Sequence, residues 1–136
     1  MVTSTPSSYH TILPHLGPAP GGAHGAQVLG AHAEGPFISK LKKGAHTEEY
    51  IRDLAGGYDD VRDVYGPSID DGGVRIVTLA PEHDPDGEVV REMVSRGVSV
   101  SVGHSMATLA QGETAVTHGA SLITHLFNAM AAFHHR

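Results

Sequence analysis

A helix-like stretch closing on Gly97 leads into an expected strand, VSVSVGH (98–104), that His104 closes. Twenty-one positions after that histidine, a second such stretch closing on Gly119 has led through another, SLITH (121–125), to His125. A repeat of that length is one compact strand–helix unit, and two in succession predict alternating β and α elements with short connections. Upstream, RIVTLA (75–80) reads as another strand, stopped at Pro81. Pro85 to Arg96 places Val89, Val90, Met93 and Val94 along one helical stripe, with Gly97 as its left-handed stop. Val28 to His32 is the expected first strand, entering GAHAEGPF and stopped by Gly35-Pro36, because proline cannot donate to a strand ladder. Ser105 is expected to cap the helix that runs to about His118. Thr47 to Leu54 reads as a helix capped by Thr47, with Glu48 and Glu49 in its first turn. Tyr9, Ile12, Leu13 and Leu16 outline a short helix that Pro14 confines, before a Gly/Pro-rich loop over 17–26. Residues 56–73, rich in Gly and Asp, allow one short helix around Val61 to Tyr65. Strand, helix, strand, helix, strand, helix, strand is the order of a parallel α/β sheet.

Bulk properties narrow the function. At 136 residues the chain is one domain's worth. Its net charge of −6 argues against a nucleic-acid partner, which would need a basic face. A small anion is still possible, because one Arg and a few backbone amides can hold a phosphate. With no cysteine there is no disulfide, thiolate nucleophile or Cys-based zinc site. No apolar run approaches the ~20 residues of a membrane helix, and MVTSTPSSYH lacks the layout of a secretory signal. The expectation is a cytoplasmic protein without membrane or nucleic-acid partners. The unusual number is 11 His.

In parallel α/β folds, sites gather at the carboxyl ends of the strands. Glu34, His104 and His125 all fall there. Neighbouring strand ends lie about 5–10 Å apart, so two imidazoles could converge on one ion and a Glu complete a His₂Glu set. That arrangement leaves a position open for water, whose pKa the ion lowers. Spacing alone leaves open that each His is a structural or surface residue. His32 shares a face with Glu34 and reads as a buried, hydrogen-bonded or supporting His. His46 reads by default as a solvated loop residue, as do Lys40, Lys42 and Lys43. His134 and His135 read as a tail, Arg136 as a surface charge, and Asp53, Asp59, Asp60 and Asp63 as a solvated surface.

Taken together and in order, HAEGPFISKLKKGAH, TLAPE, GHSMAT and THLFNAM resemble the N-acetylglucosamine-6-phosphate deacetylase family of the amidohydrolase superfamily, in its animal form where FHHR closes the chain. The likeness spans nearly the whole sequence. It implies an α/β fold that is part of a (β/α)₈ TIM barrel, and a metal-dependent hydrolysis of N-acetylglucosamine 6-phosphate to glucosamine 6-phosphate and acetate. By motif position, Glu34, His104 and His125 would bind a divalent metal ion, Zn²⁺ being expected. Ala45 and His46 would contact the sugar phosphate, with Asn128 and Ala129. Arg136 would hold its phosphate, as a guanidinium's bidentate geometry suits. The full-length family is expected to be a homodimer.

Two departures accompany the resemblance. Ala31 and Ala33 stand where the family carries larger apolar residues, a difference of about 2–5 kcal/mol each if cavities remain. A barrel of this type needs about 250 residues, and residues 1–136 are expected to be one partial barrel domain without the family's terminal parts. On this expectation no catalytic residue is present, because the family's general acid/base Asp lies beyond Arg136. The alternative is therefore a catalytically incompetent fragment that retains metal and partial sugar-phosphate binding. A third reading, a doubly wound phosphate-binding domain without metal, lacks a GxGxxG or Walker-type loop.

Overall fold

The computed structural model describes residues 1–132. Four strands, β1 (Ala31–Glu34), β2 (Val74–Leu79), β3 (Ser99–Val102) and β4 (Leu122–Ile123), form one sheet in the order β1-β2-β3-β4, every pair parallel. Four helices accompany them: α1 (Pro6–Ile12), α2 (Tyr58–Tyr65), α3 (Glu88–Ser95) and α4 (Leu109–Thr117). Spatial order follows chain order with no switch point. A doubly wound sheet would reverse direction within its strand order; an arc of a (β/α) barrel would not.

Register decides which face is which. Ala33, Val77 and Val100 lie side by side across three strands, all fully buried in the core with Tyr9, Val61, Tyr65, Val90 and Met93. This is the face the helices cover. Glu34, Thr78 and Ser101 form the neighbouring row, and by the pleat they point to the other face. That second face is polar. His32 hydrogen-bonds Thr78 Oγ1 at 2.7 Å, Thr78 meets Thr124 Oγ1 at 2.8 Å, and Thr124 meets Ser101 Oγ at 2.7 Å. His32 is thus hydrogen-bonded, as expected, though half-buried rather than buried, and it heads a chain of hydroxyl contacts across the sheet. Residues 1–3 run along the free edge of β1, Val2 bridging Glu34 in parallel.

Several expectations are corrected. The first strand is Ala31–Glu34 rather than 28–32; Val28 instead pairs antiparallel with Ala19 in an isolated bridge. Thr47 makes no side-chain cap, and only a 3₁₀ turn, Glu48–Tyr50, forms where a helix to Leu54 was expected. Acidic first-turn residues favour a helix end but cannot lengthen it. The segment 56–73 is better ordered than its Gly and Asp content suggests: α2 buries Val61, Val64 and Tyr65, and a 3₁₀ turn follows. The cap of α4 is Thr108, not Ser105. Thr108 accepts from Gln111 N while the Gln111 side chain returns to the Thr108 amide, a reciprocal capping box. The last two strands are also shorter than expected, so His104 and His125 lie just past them rather than within them.

Candidate metal centre

Glu34 is the final residue of β1, His104 follows β3 by two positions, and His125 follows β4 by two. Both histidines have positive φ, 50° and 53°. This is the left-handed region, which costs a non-glycine residue about 1–3 kcal/mol and persists where surroundings over-determine it. At each strand end the chain turns sharply and throws the imidazole back over the polar face.

The three side chains meet on one atom. Glu34 Oε1 lies 2.7 Å from His104 Nε2 and 2.8 Å from His125 Nε2, and His46 Nε2 stands 3.6 Å from it. Glu34, His46 and His104 bring their ligand atoms within 4.8 Å of one another, a grouping that could hold a metal ion. His125 reaches the same oxygen from the open side, with half its side chain exposed. The rings of His46 and His104 are 4.6 Å apart, and those of His104 and His125 5.1 Å.

His104 is oriented from behind. Its Nδ1 lies 2.7 Å from the carbonyl oxygen of Lys42. A carbonyl only accepts, so Nδ1 carries a proton, and Nε2 is the nitrogen that faces Glu34: it donates to the carboxylate here and is the one that would ligate an ion. The donor chemistry, one carboxylate and imidazole nitrogens, fits Zn²⁺. The Lys42–Lys43 loop, expected to be merely solvated, contributes through its main chain.

His46 departs furthest from its default reading. It is 5% exposed, its Nδ1 against Thr3. No sequence signal marks Thr3, which reaches the site only because the chain start lies beside β1. Ala45 is exposed. Asn128 is exposed as well, while the carbonyl of Ala129 (φ 49°) accepts from Ser105 N at 3.1 Å. The segment after β4 is thereby folded against the His104 turn. Arg136, with His134 and His135, lies outside the described residues. Asp53, expected to be a solvated surface residue, pairs with His83 Nδ1 at 3.0 Å.

Two motifs are tied together by Glu82 of TLAPE. Its carboxylate accepts from Ser105 Oγ at 2.5 Å and from Met106 N at 2.7 Å, fixing the turn immediately after His104. Outer partners of this kind are worth about 10–100-fold in metal affinity. Glu82→Ala is therefore expected to weaken zinc binding by about that factor; an unchanged affinity in a calorimetric titration would show that His104 is positioned without Glu82.

Charge follows from the geometry. Burial works against ionised Glu34, but hydrogen bonds from His104 and His125 outweigh it and hold the carboxyl below its ordinary range. His46 is held below the usual imidazole value by burial first and by the neighbouring His104 charge second. His32 is held down by burial and by the N-terminal ammonium. For these two histidines the unfolded chain binds the proton more tightly than the folded one. Their contribution is thus fully present above the ordinary value of about 6.5 and shrinks as pH falls through it toward the lower folded value. Denaturant midpoints measured from pH 7.5 down to 5 in metal-free buffer should fall; a flat profile would contradict the burial of His32 and His46.

No family model matches the chain. N-acetylglucosamine-6-phosphate deacetylase from Rattus norvegicus is 53% identical over the whole chain, which spans 33% of that protein's length. A solved deacetylase from Mycobacterium smegmatis superposes on all of this chain and 34% of its own, with TM-score 0.78 and 33% identity. A mutant of the same protein, solved in complex with N-acetyl-D-glucosamine-6-phosphate, matches at TM-score 0.78 and 34% identity. The chain spans about a third of the length of the relatives it matches.

Proposed function

We propose that this chain, whose entire length matches about a third of N-acetylglucosamine-6-phosphate deacetylases, forms the metal-binding section of such an enzyme, which hydrolyses the N-acetyl group of N-acetylglucosamine 6-phosphate to give glucosamine 6-phosphate and acetate. The observation that carries this reading is the meeting of His104 and His125, from successive strand ends, on one oxygen of Glu34. Glu34, His104 and His125 would hold a single divalent ion, Zn²⁺. Held there, it would supply Lewis-acid polarisation of the amide carbonyl and a lowered pKa for water.

The chain's own residues prepare the place. Glu34 supplies a negative charge, and the Lys42 carbonyl aims His104. His125, half exposed, marks the open side from which substrate would approach the ion. Ala45, His46, Asn128 and Ala129 line that approach in this reading, with Arg136 taking the phosphate. The substrate in this reading is small and anionic, and the net charge of −6 argues against a nucleic-acid partner instead. Among the described residues no helix is long and apolar enough to cross a membrane.

The test is to load the chain with Zn²⁺ and follow acetate release from N-acetylglucosamine 6-phosphate. Near one zinc per chain with acetate release above a His104→Ala control is expected for a working hydrolytic section. Stoichiometric zinc and ligand binding without acetate would assign the chain binding alone. Failure to retain any divalent ion would overturn the reading.

A further inference from the structure

We propose that Thr3 is a positioning residue for His46: its amide and hydroxyl hold Nδ1 as an acceptor and so fix the ring with its proton on Nε2. Thr3 and His46 are each 5% exposed, so solvent cannot satisfy either. The Thr3 amide nitrogen lies 3.2 Å from His46 Nδ1, and Thr3 Oγ1 lies 2.7 Å from it. A backbone N–H can only donate. A proton on Nδ1 would set two buried donors against each other, an arrangement native interiors avoid. The proton therefore belongs on Nε2, 3.6 Å from Glu34 Oε1.

This separates two rings whose centroids are 4.6 Å apart. His104 has a proton on Nδ1, against the Lys42 carbonyl, which leaves Nε2 as the nitrogen that a bound ion would take. His46 turns an N–H to the same centre. It lies within ligand range of Glu34 and His104, yet in this tautomer its Nε2 has no lone pair to give. It acts instead as a hydrogen-bond donor to an oxygen: the Glu34 carboxylate, or a hydroxyl or carbonyl of a bound ligand. Space around Thr3 is tight, since a Cβ on Gly35 would overlap Thr3 Oγ1. The consequence for ligands rests on the proposed metal site; the tautomer does not.

Long-range ¹⁵N–¹H correlation spectra of the metal-free chain read the tautomer directly, with His46 identified by the signal lost in His46→Gln. A single Nε2–H pattern is expected, kept in Thr3→Ser and replaced by a mixture of tautomers in Thr3→Val. An Nδ1–H pattern in the unsubstituted chain overturns the proposal even if a variant fails to fold, as does a Thr3→Val spectrum identical to the original. In a zinc titration His46→Gln should still take one ion per chain; loss of that ion would make His46 a ligand and refute its donor role. A chain showing the Nε2–H pattern but retaining no divalent ion would sink the metal-site reading and leave this one standing.

Discussion

Glu34→Gln is expected to strip the chain of stoichiometric zinc. The substitution keeps the side chain's size and replaces one carboxylate oxygen with an NH₂ group. Glu34 Oε1 is the single atom on which His104 and His125 meet, at 2.7 and 2.8 Å. An amide there either turns its NH₂ toward the imidazoles, where it cannot ligate, or offers a neutral oxygen that leaves the ion's charge uncompensated. Removing one partner of a buried charge set costs about 3–5 kcal/mol. At about 1.4 kcal/mol per factor of ten, this is a loss of two to three orders of magnitude or more in affinity. The measurement is a competition titration against a chelator of known affinity, with circular dichroism confirming that the secondary structure is retained. An affinity within tenfold of the original would show that the ion is not held through Glu34.

Much of this site was legible because strand ends are easy to read. Branched runs stopped by Gly or Pro locate the carboxyl ends of β2 and β3, and the 21-residue repeat puts His104 and His125 at equivalent places. His46 was not legible. Its burial comes from contacts with Thr3, 43 positions away, and with His104, 58 positions away, and no local pattern encodes such closeness. Lys42 was missed for a related reason: its contribution is a carbonyl oxygen, which every residue has. Secondary structure failed where short polar signals competed. Thr47-Glu48-Glu49 has the composition of a helix start, but the peptide after Tyr50 is extended and Arg52 N bonds instead to Pro36 O. A tertiary bond there outweighed local propensity. Ser105 has the right chemistry for a cap, but its hydroxyl is engaged by Glu82, and Thr108 takes the role three residues later.

Tyr65→Ala is expected to cost about 3–5 kcal/mol of stability, a large share of the 5–15 kcal/mol that a folded domain holds. Tyr65 is fully buried. Its ring meets Tyr9 edge-on at 5.1 Å and Phe37 at 5.9 Å, pairings worth about 0.5–1.5 kcal/mol each beyond the area they bury. Its hydroxyl donates to the Gly35 carbonyl at 2.9 Å, and Tyr9 donates to the same oxygen at 3.0 Å. Two phenols on one carbonyl pin the Gly35–Pro36 peptide, one residue past Glu34, and both phenols are pushed above their ordinary pKa, chiefly by burial. They therefore remain donors throughout the accessible pH range. Tyr65→Phe separates the contributions. It keeps both ring contacts and leaves Gly35 with the Tyr9 bond, so it should cost only about 1 kcal/mol. Denaturant unfolding of the metal-free chain gives both numbers, and a zinc titration of the same variants gives the link to the site. The Ala variant should also lose zinc affinity, because the end of β1 is released, whereas the Phe variant should hold it. If Tyr65→Phe proves as costly as Tyr65→Ala, the anchored carbonyl outweighs the aromatic cluster; if neither alters zinc affinity, Glu34 is positioned by strand pairing with β2 alone.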